Sequence, residues 1–115
     1  SVMSYNVRLF NKYRWINKSN ISTEIKKLII DENPDILCIQ EYSILKAPEL
    51  KQYKFKYIYP NPSKAGKSTV AIFSKLKIKD KGFIDFDDSS NCGIYIDISF
   101  QNQNLRIYNL HLDVF

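Results

Sequence analysis

Cysteine and histidine are scarce in this 115-residue chain, which holds two cysteines, Cys38 and Cys92, and one histidine, His111. So few cysteines argue against a disulfide framework, and no spacing of cysteine with histidine suits a zinc-type centre. Long apolar runs are missing too. Nothing approaches the roughly 20 residues needed to cross a bilayer, and no signal-peptide pattern stands at the start. The residues read as a soluble domain, and their abrupt opening on strand-like Val2 and Met3 leaves room for an upstream targeting or membrane segment. There is no internal repeat, no low-complexity stretch and no polybasic tail. Gly66-Lys67-Ser68 imitates the end of a phosphate-binding loop, but Asn61 stands where that motif needs its first glycine. A β-branched and aromatic run follows where the motif needs a helix, so the imitation is rejected and Lys67 reads as a loop lysine.

What is present is ordinary in amount and informative in order. The chain is 44% apolar and 25% charged, the balance of a single globular domain. Fourteen lysines and three arginines against twelve acids give a net charge of +5, which favours anionic partners. Val2 to Leu9 reads as a strand. Ile21, Ile25, Leu28 and Ile29 recur at helical spacing from about Asn20 to Glu32, with Asn20 or Ser22 as cap and Asn33-Pro34 as stop. Ile36 to Gln40 is a short apolar run, the mark of a strand buried on both faces. The opening is therefore a βαβ-like unit. Further strands are expected at Tyr53–Tyr59, Thr69–Phe73, Gly82–Phe86, Ile94–Phe100 and Leu105–Leu110, the last two joined by a hairpin turn over Gln101–Asn104. Lys75, Lys77, Lys79 and Lys81 alternate with Leu76, Ile78 and Asp80. That row could track a phosphodiester backbone, but the favoured reading is a solvated edge strand protected from aggregation by its lysines.

Candidate chemistry collects where strands end. Asp35-Ile36-Leu37-Cys38-Ile39-Gln40-Glu41 delivers an acid to the C-terminal edge of a buried strand, the place where open α/β sheets put their ligands. A carboxylate there suits a hard cation such as Mg²⁺, which prefers oxygen ligands. Cys38, inside the run, reads as a small buried hydrophobe. Ser4-Tyr5-Asn6-Val7-Arg8, Ala71-Ile72-Phe73-Ser74-Lys75 and Tyr108-Asn109-Leu110-His111-Leu112 close other strands on polar groups. Asn, then Gln-Glu, then Ser-Lys, then Asn-x-His-Leu, in that order, resembles the endonuclease/exonuclease/phosphatase family of DNase I-like metal-dependent phosphoesterases. The resemblance runs from Val2 to Leu112.

The resemblance implies roles that the pattern alone does not. Glu41 would ligate Mg²⁺ or Mn²⁺, Asn6 would help organise metal and phosphate, and His111 would hydrogen-bond the scissile phosphate. Asn91 is a weaker candidate for a substrate-facing group, and Ser74 is expected to fix its loop and not to react. Substrates would carry phosphate, as nucleic acid or as phosphorylated lipid or inositol. Members of the family continue with Gly-Asp-x-Asn and Ser-Asp-His segments, neither of which occurs here. The fold implied is thus half of a two-sheet α/β sandwich, one mixed sheet with one main helix, forming the N-terminal half of an incomplete domain. The second sheet is expected from the missing C-terminal half, so the isolated half should be inactive. Its uncovered sheet face should pair as a homodimer. The alternative is a non-catalytic basic module that binds nucleic acid or a partner protein.

Overall fold

The computed structural model describes residues 1–6, 21–42, 49–59, 69–85 and 92–111. Eight elements follow in the order β1 (Val2–Asn6), α1 (Ile21–Glu32), β2 (Ile36–Tyr42), β3 (Phe55–Tyr59), β4 (Thr69–Ser74), β5 (Asp80–Asp85), β6 (Cys92–Phe100) and β7 (Gln103–His111). They form a mixed sheet in the order β1-β2-β4-β3 and an antiparallel sheet in the order β5-β6-β7. No described helix is long and apolar enough to cross a membrane.

The opening βαβ unit is present as expected: β1 and β2 are parallel, with Met3 beside Leu37 and Asn6 beside Gln40. Helix α1 buries Ile25 and Ile29, one turn apart, against the sheet, while Leu28 stays more than a third exposed. The buried stripe is therefore narrower than the apolar spacing implies. Asn33 ends the helix in a left-handed conformation (φ 46°) and its N–H bonds the carbonyl of Ile29. Asparagine tolerates that backbone better than most residues, and Pro34 follows because it cannot continue a helix. Ser22 lies inside the helix and so is not its cap; Asn20 lies outside the described residues.

Strands β2 and β4 carry unbroken apolar runs, Ile36 to Ile39 and Val70 to Phe73, because both of their faces are covered. Leu37, Ile39, Ala71 and Phe73 face α1 together with Leu50 and Tyr53, whose hydroxyl donates to the buried carbonyl of Pro34 at 2.8 Å. Ile36, Cys38, Val70 and Ile72 face the other way, against Ile94, Ile96 and Ile98 of β6. Strand β6 reads as strict alternation because only its inner face is packed.

This second layer departs from the sequence reading in one respect. The half sandwich, the mixed sheet and the one main helix are all there among the described residues. The second sheet, however, is built by this chain, from β5, β6 and β7. The face of Val70 and Ile72, expected to lie bare and to drive homodimer pairing, is covered by Ile94, Ile96 and Ile98, so the stated basis for that pairing is gone. The cause is the segment after β4. Leu76 and Ile78 are the apolar residues that anchor it to the interlayer core, and Ser74 turns it by donating to the carbonyl of Leu76 (2.6 Å) and accepting the N–H of Leu76 (3.0 Å). Residues 75–79 are thus a crossing between layers, and Lys81 alone of the four alternating lysines lies on a strand.

The layers stack in matched order. β7 touches β2 and β4, and β6 touches β4, while β5 meets β3 through stacked Tyr59 and Phe83 rings, 4.6 Å apart. The N–H of Lys79 bonds the carbonyl of Asp97 and its Nζ reaches Asn104 Oδ1 at 2.9 Å. The closed tip of the β6–β7 hairpin therefore sits where β4 ends and β2 begins. Its open end, Cys92 opposite His111, sits where β2 ends.

Candidate active site

At that end of the sandwich, three strands deliver the polar residues singled out from the sequence. β1 ends at Asn6, which is the neighbour of Gln40 in the parallel register. The next residue is Glu41. The pairing of β2 with β4 slips there, because Gln40 lies opposite Val70 while Tyr42 lies opposite Thr69. Glu41 is the extra residue of a β-bulge. A bulge breaks the strict alternation of side chains and commonly re-aims a residue beside an active site. The backbone thus brings Asn6 and Glu41 to one edge, on adjacent strands.

His111 arrives from the other layer. Its place follows from Asn109, a residue not assigned a role from the sequence. Asn109 is 2% exposed and is the polar link between the two sheets. Its Nδ2 donates to the carbonyls of Ile39 (3.0 Å) and Ala71 (2.9 Å), and its Oδ1 accepts from Gln40 Nε2 at 2.6 Å. Gln40 Nε2 also donates to Ser4 Oγ at 3.0 Å. One network therefore joins β1, β2, β4 and β7. His111 is two residues further along β7, on the same inward side and about 7 Å nearer the open end. Its Nδ1 is buried and is the one buried side-chain polar atom without a hydrogen bond among the described residues. Buried polar atoms are nearly always paired, so this nitrogen is an exception that calls for a partner.

Asn91 lies outside the described residues, just before Cys92, the register partner of His111. Ser74 is fully buried and engaged with Leu76, at the opposite end of β4 from Glu41, so it fixes a turn as expected. Burial pushes the Cys38 thiol up to about 11, which leaves it protonated and unreactive at neutral pH. Loop 61–67, with Lys67, lies outside the described residues.

No group of three His, Cys, Asp or Glu side chains suited to a metal occurs among the described residues. A carboxylate on β2 with an amide on β1 supplies oxygen donors, which fit a hard divalent ion but do not complete its shell.

A chain that packs one helix on a mixed sheet, and that sheet on an antiparallel one, with polar residues at a shared strand edge, is half of a DNase I-like α/β sandwich. The sequence profile of the Endonuclease/Exonuclease/phosphatase family matches residues 3–111. The chain belongs to that family. No curated protein matches it. Among solved structures it is similar to humanized D. rerio TDP2, with a TM-score of 0.81 at 17% identity over 99% of this chain and 47% of that one. It is similar to C. elegans TDP2, with a TM-score of 0.76 at 22% identity over 99% of this chain and 36% of that one. D. rerio TDP2 complexed with single strand DNA product gives a TM-score of 0.79 at 18% identity, over 99% of this chain and 46% of that one. The chain spans less than half the length of each of these three.

Proposed function

We propose that this chain supplies the N-terminal half of a Mg²⁺- or Mn²⁺-dependent phosphoesterase, a hydrolase of phosphodiester or phosphomonoester bonds. The observation that carries the reading is the strand register, which ends Asn6, bulged Glu41 and His111 at the same end of the sandwich, with a buried imidazole nitrogen left unpaired. Family membership supports the same reaction class. Glu41 and Asn6 would hold the ion. When bound, such an ion stabilises charge on the phosphoryl oxygens. His111 holds the phosphate by a hydrogen bond, with Asn91 as a further substrate contact, so the chain's own part is positioning and electrostatic. Nucleic acid is the first substrate to test, because a TDP2 of the same fold is described with a single-stranded DNA product.

The sequence contains no second histidine to serve as general base. A base contributes roughly 10²–10⁴-fold, so the chain alone should turn over a phosphodiester negligibly. Calorimetric titration of the purified chain with Mn²⁺ should show one weak site that disappears in Glu41→Gln. An unchanged titration in that variant would remove Glu41 as ligand. Cleavage of an oligonucleotide by the wild-type chain, abolished in Glu41→Ala, would overturn the half-site reading while keeping Glu41 in the mechanism.

A further inference from the structure

The end of the sandwich away from Glu41 carries a surface that the proposed reaction does not use. Lys54, Phe55 and Lys56, at the start of β3, form one wall of an open groove of about 480 Å³; Ile78, Lys79, Asp80 and Lys81, at the start of β5, form the other. A second groove of about 540 Å³, lined by Leu76, Lys77, Ile78, Lys79 and Ser99, adjoins it. The two share Ile78 and Lys79, so they make one trough along the crossing between the layers. From Ile36 to Glu41 strand β2 rises about 17 Å, which sets the trough well apart from the candidate active site.

Five lysines line this trough against one carboxylate, Asp80, whose Oδ1 is already taken by the N–H of Lys81 at 2.8 Å. The lysines' own contacts are with neutral groups: Lys79 Nζ with Asn104 Oδ1 at 2.9 Å, and Lys81 Nζ 5.0 Å above the Tyr57 ring. Lys79 also lies within electrostatic reach of the Asp97 carboxylate, which Arg106 already pairs, so the lysines' charge is held in place and only partly offset.

We propose that the trough is a second binding site, for the phosphodiester backbone of a nucleic-acid strand. Lysines on both walls flank a cylindrical polyanion, whereas a flat membrane would meet the rims alone. Two adjoining grooves suit a chain of phosphates better than a single one. Lysine is a point charge without the planar fork that reads base edges, and no arginine lines either groove, so binding here is independent of sequence. Phe55 and Ile78 add apolar lining against which sugar and base edges can rest. The site stands apart from the proposed hydrolysis and holds whether or not that reading is right.

The test is fluorescence anisotropy of a labelled single-stranded oligonucleotide with the purified chain in EDTA, over a salt series. Lys56→Gln/Lys81→Gln removes two trough charges, and Lys26→Gln/Lys27→Gln removes two from α1. Both pairs lie on the surface, and melting curves check that each variant folds. The trough variant should bind about tenfold more weakly, with a log–log salt slope shallower by about 1.4; the helix variant should stay within about twofold of wild type. Equal losses in both variants would reduce the effect to net charge and overturn the site. So would unchanged oligonucleotide binding in the trough variant, whether or not it loses affinity for phosphatidylserine vesicles; a loss on vesicles alone would assign the face to membranes.

Discussion

The two ends of this sandwich handle polarity in opposite ways. At the open end of the β6–β7 hairpin, Ser4, Gln40 and Asn109 form a network that penetrates both layers and leaves one imidazole nitrogen unpaired. At the closed end, lysines sit on the outside, and the buried hydroxyl of Ser74 is satisfied within two residues. The first arrangement spends buried hydrogen bonds on fixing the relative position of two sheets. The second lets each group be solvated locally. The difference implies that a substitution at the open end should be felt by the whole fold, and one at the closed end only near itself.

The strongest test of that contrast is Asn109→Leu. It removes three hydrogen bonds, leaves one of the two N–H groups of Gln40 Nε2 without its partner in a partly buried site and unties β7 from β2 and β4. Buried polar groups left unsatisfied cost about 1–3 kcal/mol each, and the carbonyls of Ile39 and Ala71 lie at the low end because the ladder can still serve them. A loss of about 3–4 kcal/mol should appear in urea unfolding, with a fall in Tm of about 15 °C. A loss under about 1 kcal/mol would mean that the network decorates the interlayer core without tying it.

Asn109 also shows how much of this site the sequence displayed. The place of Glu41 at the strand's end was legible because Gln40 and Glu41 close a four-residue apolar run on polar groups. Asn109 carried a signal that went unused: Ile107, Asn109 and His111 share one parity of β7 and Arg106, Tyr108 and Leu110 the other, which puts an amide in line with inward residues. The bulge at Glu41 had no such mark, since Gln40-Glu41-Tyr42 contains no glycine or proline and the slip depends on pairing with β4. Strands β2, β4 and β6 were readable from apolar runs and alternation. The existence of a second layer was not, because alternation in β6 is the same whether it extends the first sheet or covers it. What decides is the crossing at 75–79, where alternating lysines look like an edge strand until Leu76 and Ile78 are seen to anchor it.

Between the ends lies Cys38, and its titration probes the shared interlayer core. Burial raises the thiol from an ordinary 9.0 to about 11, so the fold favours the neutral form. That contribution is complete below about pH 9 and is lost as pH rises towards 11, because the unfolded thiol then ionises while the folded one does not. The loss comes to about 2–3 kcal/mol at the alkaline limit. Tyr53, pushed up to about 12 first by burial and then by Asp35, adds to it at the top of the range. Urea midpoints measured from about pH 8 to about pH 11 should therefore fall, and Cys38→Ala should flatten the part nearer neutrality. Identical profiles for the two proteins would show that the thiol is not held in a closed core.

Ser74→Ala is the closed-end counterpart of Asn109→Leu. It removes both bonds to Leu76 and leaves that N–H without its partner. The expected cost is about 1.5 kcal/mol, half or less of that of the open-end change. Hydrogen exchange should quicken around residues 74–78 and stay unchanged at Cys92 and His111. Exchange that quickens equally at both ends would erase the distinction between a spanning network and a local turn.

The smallest effect should run the other way. The closed end is capped by a two-residue turn in which Gln101 and Asn102 both take positive φ, 50° and 64°, between the paired residues Phe100 and Gln103. This is the geometry of a type I′ hairpin turn, for which Asn-Gly is the preferred pair, because asparagine tolerates the left-handed region and glycine enters it without a Cβ penalty. Glutamine at the first position is the poorer fit. Replacing Gln101-Asn102 by Asn-Gly should stabilise the chain by about 0.5 kcal/mol, the backbone relief being partly offset by the greater freedom of glycine in the unfolded state. Protection should increase at Phe100 and Gln103 and leave Asn109 as it was, since the turn and the inter-sheet network sit at opposite ends of β7. If tightening the turn also slowed exchange at Asn109, strand β7 would transmit order along its length, and the two ends would be one cooperative unit.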